Sequence, residues 1–120
     1  MRKYAGLLIC AFLLAACSSQ SKEEKAMLKE AYELQLKVIE GVNDLESKMA
    51  AQTAEAKDSL EHILHEIEEA LFEIPGYHLE LPGHEGHDHG HNRVSLTTKE
   101  ILDVQRELLQ QVNDLKSSYK

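Results

Sequence analysis

Met49-Ala50-Ala51-Gln52-Thr53-Ala54-Glu55-Ala56-Lys57-Asp58-Ser59-Leu60-Glu61 separates two apolar helical patterns that do not share a phase. Upstream, Leu28, Ala31, Val38, Val42, Leu45 and Met49 recur at three- and four-residue steps, with Gln35 holding the intervening position. That spacing is one stripe on a helix, and Tyr32, Leu36 and Ile39 widen it. Downstream, Leu60, Ile63, Leu64, Ile67, Leu71 and Ile74 form a second stripe after an extra step of about four residues, a stutter. Asp58-Ser59-Leu60-Glu61 has the spacing of a capping box, which favours a helix restart near 58. Against a break, residues 42–74 contain neither Gly nor Pro and the junction is alanine-rich. Two arrangements follow, both all-α. A turn gives a small antiparallel bundle of three helices, at about 22–52, 58–73 and 97–118. A continuous helix gives a long hairpin whose uncovered stripe calls for a homodimer or another protein partner.

Outside this junction the punctuation is clearer. Gly41 costs its helix about 1 kcal/mol against alanine, too little to end so long a pattern. Ile74-Pro75-Gly76 stops the second helix, because proline disfavours helix at the residue before it. Tyr77-His78-Leu79-Glu80-Leu81 alternates apolar and polar, with no partner strand elsewhere in the chain. It reads as an extended segment laying Tyr77, Leu79 and Leu81 on the helices. Pro82-Gly83 then opens a polar loop, part of a connection spanning 75–96. Thr97-Thr98-Lys99-Glu100 is a capping box for a last helix striped by Ile101, Val104, Leu108, Val112, Leu115 and Tyr119. Val42-Asn43-Asp44-Leu45 recurs as Val112-Asn113-Asp114-Leu115, and Gln35 matches Gln105, all at an offset of 70 residues, or ten heptads. Equivalent residues therefore occupy equivalent stripe positions, which implies helices packing through equivalent seams.

The N-terminus gives an address. Met1-Arg2-Lys3 is basic, and Tyr4 to Ala16 is an apolar run of 13 residues, short of the roughly 20 that span a bilayer. It ends in Leu14-Ala15-Ala16-Cys17, which resembles the lipobox of bacterial lipoproteins. That resemblance implies a signal peptide over 1–16, acylation of Cys17, and a lipid-held tether over 17–21 ahead of a helical domain at 22–120. It implies attachment to a membrane by acyl chains, facing the periplasm or carried on the outer membrane, since Ser18 in such proteins does not impose inner-membrane retention. Cys10 lies within the discarded segment, so lipidation of Cys17 leaves no thiol for a disulfide, metal or nucleophile. Loss of Arg2 and Lys3 leaves eleven basic residues against 21 acidic ones, a charge of −10 with histidine neutral. Such a balance repels phosphate backbones and argues against nucleic acid.

The stretch richest in chemistry is Gly83-His84-Glu85-Gly86-His87-Asp88-His89-Gly90-His91, which holds four of the chain's seven histidines. Alternate imidazoles in extended chain project from one side about 7 Å apart, and the glycines let the chain bend until two or three converge. His84, His87, His89 and His91 are the expected metal ligands, with Glu85 and Asp88 as further ligands or acceptors fixing the ring tautomers. His78 lies near enough in sequence to join. Imidazole and carboxylate without thiolate suit Zn(II), Cu(II) or Ni(II). The bland reading is a solvated, soluble spacer. His62 and His65 fall on the outward face of their helix beside Asp58, Glu61, Glu66 and Glu69, a solvated acidic surface, although His62 and Glu66 are spaced to pair.

No nucleophile elbow, phosphate-cradling glycine loop or zincin pair is present, so the expectation is not an enzyme. The lipobox, Ile74-Pro75-Gly76 and the tract from His84 to His91 together resemble small uncharacterised helical lipoproteins carrying a His-rich loop. Two functions follow as expectations: a membrane-anchored metal buffer or donor, or a structural, partner-binding coiled-coil lipoprotein whose loop is a spacer.

Overall fold

A computed structural model describes residues 20–81 and 95–119 and resolves the junction at Met49 as a turn. Helix α1 spans Lys22–Lys48, a single 3-10 turn covers Met49–Ala51, α2 spans Ala54–Ala70 and α3 spans Thr98–Ser118. The three-helix arrangement is the one adopted, and the chain is all-α with no strand among the described residues.

The restart lies at 54 rather than 58. Gln52 and Thr53 are extended, and the Thr53 hydroxyl accepts from the Ala56 amide at 3.4 Å, satisfying a donor that the new helix leaves orphaned. Asp58 therefore sits inside α2, exposed. The other end differs too: α2 stops at Ala70, not 73, because Leu71 turns extended at ψ 142°. From there Leu71, Phe72 and Ile74 all reach the core, and the Phe72 carbonyl accepts from Gln35 Nε2 at 2.8 Å. Burial of three large side chains outweighs one further helical turn.

α2 runs back along α1, and α3 then runs in the same direction as α1. Two cross-links give the sense: Glu30 meets Arg106 at 2.7 Å and Asp44 meets Lys116 at 2.9 Å, so partner numbers rise along both helices. These pairs are 76 and 72 residues apart, close to the 70-residue repeat, so like residues of α1 and α3 lie at similar heights. Lys116 also holds the Asp44 carboxyl below its ordinary pKa, by hydrogen bond first and charge second. The backbones of α1 and α3 approach closely, whereas α2 stands off on its Leu and Ile side chains.

The core divides in two. Leu28, Ala31, Phe72, Ile74, Ile101 and Leu102 cluster where α1 and α3 begin. Val38, Val42, Leu45, Leu60, Leu64, Ile67, Leu71, Leu79, Leu108 and Val112 form the larger cluster beyond. Between these clusters along α1 and α3 sit Gln35 and Gln105, both buried. Leu36 departs from expectation: it is 47% exposed. A helix turns about 100° per residue, which carries Leu36 off the arc that Gln35 and Val38 present to the partners.

The Thr97 capping box forms in full. Glu100 N–H donates to Thr97 Oγ1 at 3.3 Å while Thr97 N–H donates to Glu100 Oε2 at 2.8 Å. Hydrogen bonds from the Thr97 backbone, and then from its side chain, hold the Glu100 carboxyl below its ordinary pKa. A depressed carboxylate adds stability that is present above its unfolded pKa and lost as pH falls through the folded value. Thr97→Ala should therefore cost about 1 kcal/mol near neutrality and less in acid. Urea titrations at pH 7 and pH 3 check this: an equal loss at both would detach the cap from the Glu100 charge.

Candidate functional site

The site is built around the reversal that follows α2. Tyr77 N–H donates to the Ile74 carbonyl at 2.9 Å across Pro75-Gly76, and Gly76 has φ +88°. Proline at the second position and glycine in the left-handed region at the third make this a type II turn. The Tyr77 ring stacks on Tyr32 of α1, with centroids 4.3 Å apart and planes 18° from parallel. Leu79 is buried and Leu81 packs on the larger cluster. The period of two expected over 77–81 is thus used as expected, with apolar side chains against the helices and His78 and Glu80 outward.

His78 is the one expected metal ligand among the described residues. Its side chain is 75% exposed, and Nδ1 lies 2.8 Å from Glu73 Oε1. Glu73 emerges between the buried Phe72 and Ile74, so the pair spans the turn from both sides. The sequence reasoning missed Glu73, because a separation of five residues is not a helical pairing. The available signal was the Pro-Gly between the two positions, which returns the chain on itself. His84, Glu85, His87, Asp88, His89 and His91 lie outside the described residues, as does Cys17.

His62 and His65 are exposed on α2 as expected, with Nε2 at 3.5 Å from Glu66 and 3.3 Å from Glu69 respectively. With Glu46, Asp58, Glu61 and Glu68 they line an open groove of 490 Å³ beside the Met49 turn. Asp58, Glu61 and Glu68 of α2 and Glu46 of α1 border it, and Lys57 is the only lysine or arginine of α2, so this face is negative. Among the described residues no three His, Cys, Asp or Glu side chains converge as a metal site. No helix among them is long and apolar enough to cross a membrane.

Comparison with protein-family models, curated proteins and solved structures finds no match for this chain.

Proposed function

We propose that the chain is a lipoprotein held on the extracytoplasmic side of a bacterial membrane through Cys17, and that its histidine tract reversibly binds Zn(II), Cu(II) or Ni(II) as a buffer or donor. The observation that carries this reading is the tract itself: His84, His87, His89 and His91 with Glu85 and Asp88 inside eight residues. Borderline metals take neutral imidazole and carboxylate, and the chain's acidity attracts cations without supplying a competing thiol. The exposed, carboxylate-paired His78 near the start of the tract supports the same reading. Interchangeable ligands within the tract from His84 to His91 favour a labile complex over a fixed cage, which suits handing a metal on. No group in this scheme performs catalysis.

Calorimetric titration of the detergent-solubilised lipidated chain tests the proposal. Sub-micromolar, stoichiometric binding is expected, lost when His84, His87, His89 and His91 become alanine. Because protons and the metal compete for the same imidazole nitrogen, the affinity should fall as the pH is lowered. Binding no tighter than that of a generic oligohistidine peptide would sink the reading in favour of a structural lipoprotein with a spacer. Incorporation of labelled palmitate, abolished by Cys17→Ala, tests the anchor separately.

A further inference from the structure

We infer that Glu73 is a positioning residue, orienting His78 to give one bond to the divalent transition metal; this rests on the metal-binding reading above. The juxtaposition has three parts. Glu73 Oε1 lies 2.8 Å from His78 Nδ1, and a carboxylate at that nitrogen selects the tautomer with its proton on Nδ1 and a lone pair on Nε2. Metal-ligating histidines are held in this way, the carboxylate fixing the ring and raising its basicity. Nε2 has no partner among the described residues, and the ring is largely in solvent.

Both members of the pair are carried on backbone that cannot easily drift. Phe72 and Ile74, on either side of Glu73, are buried, and the Phe72 carbonyl is hydrogen-bonded to Gln35. His78 stands between Tyr77, stacked on Tyr32, and the buried Leu79. The type II turn sets the distance between them. A ligand whose orientation is already fixed loses less entropy on binding, and its neighbours' packing keeps it in place. His62 and His65 lack this arrangement: their carboxylates contact Nε2, at longer range, along one exposed helical face. The dyad therefore differs in kind from the other described histidines.

The test is Zn(II) titration of the full lipidated chain and of Glu73→Gln, His78→Ala and the double variant, with ¹⁵N NMR of the His78 ring. Glu73→Gln should weaken binding 10- to 100-fold, His78→Ala should match it, and the double variant should lose no more. In the wild type the ring should sit in the Nδ1–H tautomer, and Glu73→Gln should mix the tautomers without lowering Tm. Glu73→Asp should recover part of the affinity. If both single variants bind as the wild type while the four-histidine tract variant does not, the dyad has no role and the metal reading stands. If the wild type binds nothing, both fall. A lowered affinity in Glu73→Gln with the His78 tautomer unchanged would also overturn the positioning role.

Discussion

Replacing Gly41 with alanine should destabilise the bundle, against the direction that helix propensity dictates. In an exposed helix interior the change would gain about 1 kcal/mol. Gly41 is buried, however, and lies against Val112 of α3. A Cβ added there would land on Val112 Cγ1, well inside contact distance. Val112 is fully buried and β-branched, so it has little freedom to retreat. Overpacking a filled core costs about 1–3 kcal/mol, which leaves a net loss of up to about 2 kcal/mol after the propensity gain. For a domain of this size each kcal/mol is about 4–8 °C in Tm. The decisive comparison is in a Val112→Ala background, where the obstructing methyl is gone. There Gly41→Ala should stabilise by about 1 kcal/mol. A rise in Tm in the wild-type background would mean that the helices do not meet at this glycine.

Gly41 also shows where sequence reading reached its limit. Its propensity cost was visible, but the reason for accepting that cost is a contact with a residue on another helix. Elements specified by local chemistry were legible: the capping box of Thr97 and Glu100, the Pro75-Gly76 stop and the alternation of Tyr77, Leu79 and Leu81 each depend on neighbours in sequence. The restart of α2 was misplaced because Thr53 and Asp58 are both competent caps, and only the chain's path to the core at Leu60 chooses between them. The exposure of Leu36 follows from where α2 and α3 sit, which a stripe on α1 does not encode. The candidate site divides in the same way. His78 was legible from its distance to the histidine tract, whereas Glu73 reaches it only through the geometry of a type II turn.

Gln35 and Gln105 occupy equivalent positions of the repeat, yet substituting them should change stability in opposite directions. Both are buried in the layer that divides the core. Gln35 Nε2 donates to the Phe72 carbonyl at 2.8 Å, so Gln35→Met would strand that carbonyl and loosen the extended segment carrying Glu73. A buried group deprived of its partner costs about 1–3 kcal/mol. Gln105 has neither its amide nitrogen nor its oxygen paired among the described residues, although both are fully buried. Methionine nearly matches its shape and removes both polar atoms, so Gln105→Met should stabilise by about 1–3 kcal/mol. Chemical denaturation of the two variants reads the contrast directly, and the same sign for both would refute it. The stability forgone at Gln105 has a physical counterpart in parallel helix pairs, where one polar seam residue fixes register at a cost. Here α1 and α3 repeat like residues at like heights, so removing one of the two buried glutamines lowers the cost of slippage by a heptad. Gln105→Met should therefore be more stable but less singly ordered, visible as doubled or broadened amide resonances along α3. A variant that is both more stable and as sharply resolved as the wild type would remove the register argument while leaving the hydrogen-bond argument intact.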